Sequence, residues 1–218
     1  MRRIVGTCAA LLALAGCANE AETAAAEAAP AAETTAPALT PEQQALADQI
    51  RAATEKYKDI AVAEAEGYMR DPANMCVTAA MVGAPAEMGA MGIHYFRPDL
   101  LGIATPQPPI AGTDGVIDVN LPEVLVYEPA MDGTMQLVAA EYLVFQDAWT
   151  AAGNAAPPAL AGQTFAAMAD DPSTPADEAH AFTPHHELHV WVHRDNPNGL
   201  FAEFNPGVTC DHAAMGQM

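Results

Sequence analysis

Basic residues are scarce in this chain: its 218 residues include 8 Lys and Arg against 28 Asp and Glu, for a formal net charge of −20. Binding to nucleic acid depends on cations that neutralise phosphates, and docking on anionic lipid headgroups depends on the same kind of charge. The composition therefore excludes nucleic acid as a partner. It also excludes electrostatic attachment to an anionic membrane surface.

Serine is almost absent as well, and Ser173 is the single serine of the chain. It lies in the acidic segment DDPSTP at residues 170–175, which lacks the glycine pattern of a nucleophile elbow. The sequence also contains no glycine-rich motif of the kind that holds phosphates. These absences argue against serine-hydrolase and nucleotide-dependent chemistry. Enzymatic activity stays open, with a binding role preferred.

Long hydrophobic runs are lacking too. The N-terminal apolar run, residues 4–15, follows two arginines and is too short to span a bilayer, which is typical of a signal peptide. It leads into LAGC at residues 14–17, which resembles the lipobox of bacterial lipoproteins. This resemblance implies cleavage before Cys17 and lipid attachment to its sulfur. Because Ala rather than Asp follows the cysteine, it further implies an outer-membrane lipoprotein that faces the periplasm.

The next segment lacks the residues that build a core. Residues 18–39 are almost wholly Ala, Glu, Thr and Pro, and they include no aromatic residue. Such a segment buries too little apolar surface to offset the entropy lost on ordering. We therefore predict a signal peptide at 1–16, the lipidated cysteine with a disordered acidic tether at 17–39, and one globular domain at 40–218.

Cysteine is rare, and the two cysteines of the predicted domain are Cys76 and Cys210. In an oxidising compartment, two remaining thiols predict one disulfide between them. Metal ligation by these cysteines is the alternative, although neither lies in a CxxC pattern.

The pattern of apolar residues predicts an α+β fold. A capping box begins at Thr40, and apolar residues then recur at steps of three and four, which predicts one long amphipathic helix that ends at Gly67. Later segments predict strands at residues 91–96, 124–127, 137–145, 187–194 and 200–204. No helical pattern separates the later strands, so we expect a largely antiparallel sheet or partial barrel, packed against the long N-terminal helix.

Histidine and acidic residues in these strands form the candidate site. Alternation places four side chains on one face of a strand, namely Glu187, His189, Trp191 and His193. Imidazole and carboxylate groups are ligands that suit Zn, Cu, Ni or Fe. We expect His94 and Glu141 to join from neighbouring strands, because a carboxylate among apolar residues needs a partner.

Two other interpretations of these residues stay open. In the first, the polar strand face is solvated and Glu141 pairs with Arg97 or Arg194. In the second, the methionines that precede His94, such as Met91, form a soft Cu(I) site together with it. Methionines also fill gaps in cores that are poor in aromatic residues, which would explain them without a metal.

Several segments together resemble a family of exported bacterial proteins of uncharacterised function. The segments are 57–67 (YKDIAVAEAEG), 91–95 (MGIHY), 123–128 (EVLVYE), 141–145 (EYLVF), 158–165 (PALAGQTF) and 189–210 (HVWVHRDNPNGLFAEFNPGVTC). They span nearly the whole predicted domain, so the resemblance implies a single globular unit. It also implies that the residues of interest include His94, Glu141, His189, Trp191 and Cys210.

The function we expect is a lipid-anchored, periplasm-facing binding protein for a transition metal, Cu or Zn, or for a small polar molecule. The predicted metal or ligand-binding residues are His94, Glu141, Glu187 and His189. Tyr95 and Trp191 would line the pocket, and the loop at 151–184 would cover it. One alternative is an acid–base or metal-assisted enzyme that uses the same residues. The other is a structural or interaction lipoprotein of the envelope without a small-molecule site.

Overall fold

The computed structural model describes residues 36–72, 75–173 and 179–213. The predicted signal peptide and the lipidation site at Cys17 lie outside these ranges, as does all of the predicted tether except residues 36–39. Within the described ranges, no helix has both the length and the apolar character needed to cross a bilayer.

The domain is α+β, as predicted, and it is built on antiparallel strands. In chain order the strands are β1 (Met69–Arg70), β2 (Cys76–Thr78), β3 (Ala90–Phe96), β4 (Val124–Pro129), β5 (Met135–Phe145), β6 (Ala159–Leu160), β7 (Gln163–Thr164), β8 (Ala166–Met168) and β9 (His185–Val190). Seven of them form one sheet in the order β1-β3-β4-β5-β9-β8, with β2 also pairing with β3. Strands β6 and β7 form a separate hairpin.

Three of the five predicted strands are confirmed as β3, β4 and β5. The strand predicted at 187–194 is β9, but it begins at His185 and ends at Val190, so residues 191–194 are not part of it. The predicted strand at 200–204 is wrong. That segment forms turns, in which the Ala202 N–H donates to the Gly199 carbonyl. Its carbonyls are also occupied, because the backbone N–H of Trp191 donates to Leu200 and the indole N–H donates to Ala202.

The single long helix predicted up to Gly67 is also wrong. It is replaced by three segments: α1 (Pro41–Thr54), a 3-10 helix (Glu55–Lys58) and α2 (Ile60–Ala65). Asp59 interrupts the helix because its backbone is extended, with ψ 104°, and its carboxylate accepts the N–H of Ala61 to begin α2. Thr54 marks the end of α1, where its buried hydroxyl donates to the Ile50 carbonyl.

The predicted start of the first helix is confirmed. The Thr40 hydroxyl accepts the Gln43 N–H at 3.2 Å, and the Gln43 side chain accepts the Thr40 N–H at 3.0 Å. This reciprocal pair is the capping box predicted from the sequence. Two further short helices are α3 (Pro98–Leu101) and α4 (Gln146–Ala151).

The two faces of the sheet have different neighbours. On one face, residues of β5 and β9 such as Tyr142, Leu188 and Val190 pack in one apolar cluster with Leu46 and Ile50 of α1. The apolar alternation predicted for β9 is thus confirmed. The opposite face carries the alternate residues of the same strands, which include histidines and glutamates. Helix α1 therefore covers one face and leaves the other for a polar site.

The predicted disulfide between Cys76 and Cys210 is present. Cys76 lies in β2, opposite Ile93 of β3. The bond therefore ties the strand beside His94 to the C-terminal segment, and metal ligation by the two cysteines is wrong.

Candidate metal centre

Three of the predicted residues meet on the face of the sheet opposite α1, although they lie on three different strands. Glu141 of β5 is directly opposite His189 of β9. Strand β4 separates β3 from β5, and there Val126 lies opposite His94 while Val124 lies opposite Glu141. Because valine side chains are short, the imidazole of His94 extends over β4 and reaches the carboxylate.

The three side chains converge on one point. The Nε2 atom of His94 lies 3.3 Å from Nε2 of His189 and 3.4 Å from Oε2 of Glu141. The Nε2 atom of His189 lies 3.6 Å from the same oxygen. A point equidistant from three atoms with these separations lies about 2.0 Å from each of them, and Zn–N and Zn–O bonds measure about 2.0–2.2 Å. The arrangement thus matches the spacing of ligands around a metal ion.

Glu141 has an unusual environment for a carboxyl group. It is 2% exposed, and its Oε2 atom accepts no hydrogen bond from the described residues. Burial raises its pKa well above the ordinary value, and the nearby carboxylate of Glu187 raises it further. A buried acceptor without a donor is rare in folded proteins and calls for a missing partner.

The imidazole of His94 is held in its neutral form. Burial lowers its pKa to about 3, and the neighbouring imidazole of His189 lowers it further. Burial also lowers the pKa of His189. Neutral imidazoles are the form that binds metal ions, so both rings are ready to act as ligands.

A second carboxylate lies beside the three. Glu187 is buried on β9 and lines the same cavity as Glu141, where its negative charge raises the pKa of Glu141. On its other side, Oε2 of Glu187 lies 3.2 Å from Nε2 of His185. His185 contacts the carbonyl oxygen of Thr183 through Nδ1, at 3.1 Å.

All of these side chains border one small cavity with a free volume of about 40 Å³. That volume holds one or a few molecules the size of water. Apolar side chains such as Met91, Phe96, Leu143 and Phe182 complete the wall. No Lys or Arg is found among the described residues that line this cavity.

The four predicted binding residues all line this cavity, and their role as ligands stays a prediction. The two predicted pocket-lining aromatics do not line it. Tyr95 follows His94 on β3, so its ring points to the other face and packs against Tyr127, with ring centres 5.2 Å apart. Trp191 lies just beyond the end of β9, where its ring stacks on His189 and its indole N–H donates to the Ala202 carbonyl.

The predicted cover, the loop at 151–184, contributes to the cavity through His180 and Phe182. Within this loop, residues 174–178 lie outside the described ranges.

The simpler interpretation of Glu141 as an ion-pair partner is wrong. Arg97 pairs with Asp99, and Arg194 pairs with Glu128, so neither guanidinium contacts Glu141. The polar face is also not solvated, because Glu141, Glu187 and His189 are all at most 5% exposed.

Sequence analysis missed His180 and His185. His185 precedes Glu187 and His189 at steps of two, which is a signal for the same strand face, but the predicted strand begins only at residue 187. His180 follows from no periodic pattern. Its backbone has φ 53°, in the left-handed region that residues other than glycine rarely adopt.

No family model, no curated protein and no solved structure matches this chain. The functional conclusion below is therefore argued from the geometry and chemistry of the site.

Proposed function

We propose that this protein binds a divalent transition metal ion through His94, Glu141 and His189. The observation that carries the proposal is the convergence of two imidazole nitrogens and one carboxylate oxygen, each 3.3–3.6 Å from the others. One cation at their centre satisfies all three lone pairs at distances typical of a coordination bond.

The balance of charge supports the same conclusion. Glu141 and Glu187 bring two carboxyl groups together in a buried space, and the lining residues described there include no Lys or Arg. Isolated buried carboxylates are strongly unfavourable, so they take up protons or bind cations. A divalent ion beside Glu141 supplies the positive charge that this buried carboxyl group lacks.

The donor set narrows the choice of metal. Imidazole together with carboxylate suits Zn²⁺, Cu²⁺, Ni²⁺ and Fe²⁺, so we name Zn²⁺ as the first ion to test. Copper is the second, because Cu²⁺ also accepts imidazole ligands and Met91, whose thioether would suit the reduced ion Cu(I), lines the same cavity as His94. We propose that this binding takes place in the periplasm. Two features support that compartment: the expected lipid anchor at Cys17, and a disulfide of the kind that persists in oxidising compartments.

The test is metal binding by the purified full-length protein after removal of bound metal with a chelator. We expect His94→Ala, His189→Ala and Glu141→Gln each to weaken Zn²⁺ binding by more than about 100-fold, since even residues that only support a ligand change affinity 10- to 100-fold. The matched control is His212→Ala, which removes an exposed histidine that does not line the cavity. A wild-type protein without stoichiometric metal binding, or a His94→Ala variant that binds as tightly, would refute the proposal.

A metal-assisted enzyme is the second candidate. Three protein ligands that leave a coordination position open towards a cavity are typical of catalytic zinc sites, whereas structural sites have four. The cavity beside His94 and Glu141 has room for a water-sized ligand. The experiment is hydrolysis of a small activated ester by metal-loaded protein, with chelated protein and the His94→Ala variant as controls. Equal rates in all three samples would exclude this candidate for that substrate class.

A further inference from the structure

We infer that this centre takes a second metal ion, held by His185 and Glu187 beside the first. The inference rests on the proposed function, because the second ion would lie next to the first and share its carboxylates. It concerns two residues that the first site does not need, and its failure can be told apart from failure of the first site.

The hydrogen-bond roles at His185 point to a missing cation. Its Nδ1 atom lies 3.1 Å from the carbonyl oxygen of Thr183, and a carbonyl only accepts, so Nδ1 carries the hydrogen. In a neutral imidazole the other nitrogen, Nε2, then has a free lone pair. That nitrogen faces Oε2 of Glu187 at 3.2 Å, and an ionised carboxylate oxygen is also an acceptor. Two acceptors in contact require a proton or a metal ion between them.

The geometry suits a metal ion. A histidine that binds a metal commonly donates its other N–H to a backbone carbonyl, which fixes the ring and its tautomer. His185 makes this bond with Thr183. Its 3.2 Å separation from Glu187 is close to the 3.3–3.6 Å separations in the first site, so both atoms can reach one ion at about 2.0–2.2 Å.

The carboxylates of Glu141 and Glu187 lie between the two proposed metal positions. His185, Glu187 and His189 alternate along β9 and face the same cavity, so Glu187 lies between the two histidines. Glu187 lines the same cavity as Glu141, which belongs to the first site and lies opposite His189, two residues along β9. Carboxylates between two ions about 3.5–4 Å apart are typical of two-metal centres.

His180 offers a further donor to the second ion. It lines the cavity from the loop before β9, and it is followed by Ala181, which also has a positive φ of 66°. Two consecutive non-glycine residues in the left-handed region are costly, and such conformations cluster at functional sites. The strained turn places an imidazole at the cavity wall.

The decisive measurement is the number of zinc ions bound per chain. Purified full-length protein is stripped with chelator, loaded with Zn²⁺, desalted and analysed for metal and protein. We expect two ions in the wild type and one in His185→Ala and in Glu187→Gln. The matched control is His186→Ala, because His186 is the next residue on the same strand and lies opposite Val144 on the other face. It should keep two ions.

The possible results separate the two proposals. One zinc ion in the wild type, lost in His94→Ala but kept in His185→Ala, would overturn the second ion and leave the first site standing. No bound zinc in any sample would overturn both. A second measurement covers the case in which the His185→Ala variant does not fold: X-ray absorption of fully loaded wild-type protein should show a metal–metal distance of about 3.5–4 Å. Its absence would overturn the second ion.

Discussion

The Nε2 atom of His94 lies 3.4 Å from Oε2 of Glu141, although β4 separates the strands that carry them. The contact is possible because only valines of β4 lie beneath it, Val126 opposite His94 and Val124 opposite Glu141. A bulkier side chain at either position would push the two groups apart. The site is therefore a property of three adjacent strands and their register, and the following predictions depend on that arrangement.

Replacing the carboxylate of Glu141 should weaken metal binding without lowering the stability of the metal-free protein. We expect Glu141→Gln to unfold at an equal or slightly higher temperature than the wild type in chelator, because it removes a buried acid that lines the same cavity as Glu187. One kcal/mol corresponds to roughly 2–4 °C for a domain of this size. Added Zn²⁺ should raise the melting temperature of the wild type by more than that of the variant. A Glu141→Gln protein that melts well below the wild type in chelator would contradict this account.

Metal should stabilise the folded protein by mass action. At a free concentration of 100 times its dissociation constant, a ligand that binds only the folded state adds about 2.7 kcal/mol. Thermal unfolding of wild-type protein with increasing Zn²⁺ should therefore shift upwards by several degrees. The shift should be clearly smaller in His189→Ala and fully kept in His212→Ala. Equal shifts in both variants would show that zinc binds elsewhere.

Glu123 should make the protein less stable at alkaline pH. It is buried, and burial raises its pKa to about 9, while in the unfolded chain it titrates near 4.5. The folded state thus holds a proton that the unfolded state releases, so this contribution is complete below pH 4.5 and is lost as pH rises towards 9. The loss is on the order of a few kcal/mol.

The measurement is the free energy of unfolding from pH 5 to 9 in chelator, for the wild type and for Glu123→Gln. The variant keeps an oxygen that can accept the N–H of Leu143 but cannot ionise. We expect its stability to fall less with pH than that of the wild type. Glu42→Gln, an exposed acid in α1, serves as the control. Parallel curves for the wild type and Glu123→Gln would contradict the prediction.

Loss of the disulfide should destabilise the domain. Cys76 and Cys210 are 134 residues apart, and in the chain-entropy model a loop of that length is worth roughly 4–5 kcal/mol. The double variant Cys76→Ser with Cys210→Ser should therefore have a lower midpoint in denaturant, and wild-type protein under reducing conditions should match it. A change below about 1 kcal/mol would mean that the bond contributes little.

The lipid anchor can be tested in cells. We expect the wild-type chain, expressed in a bacterial host, to fractionate with membranes, and Cys17→Ala to lose this association, since Cys17 is the predicted lipidation site. Membrane fractionation with detection of the domain provides the measurement. A Cys17→Ala protein that remains in the membrane fraction would exclude lipidation at this cysteine as the means of attachment.

Local pattern was enough for much of the fold. The turn at residues 131–133 and the following segment 137–145 predicted a strand of a hairpin, and β5 covers Met135–Phe145. The capping box predicted the start of α1 at Thr40, and the count of free cysteines predicted the disulfide. The strand and the capping box depend only on residues close together in sequence, and the disulfide follows from there being two cysteines in the domain. None of these predictions requires knowledge of which segments are neighbours in the fold. The break in the helix at Asp59 was not predicted. The helical spacing of apolar residues continues through this position, whereas the backbone of Asp59 is extended.

Residue chemistry and strand periodicity alone were sufficient to select His94, Glu141, Glu187 and His189 as candidates, because each property belongs to its own short segment. Periodicity carries no information on the order of strands in a sheet, so it could not say that β4 would lie between His94 and Glu141. Nor could it show that Arg97 and Arg194 would form ion pairs with acidic residues other than Glu141. Those outcomes depend on long-range pairing, and it is that pairing which brings three donor atoms to within 3.6 Å of one another.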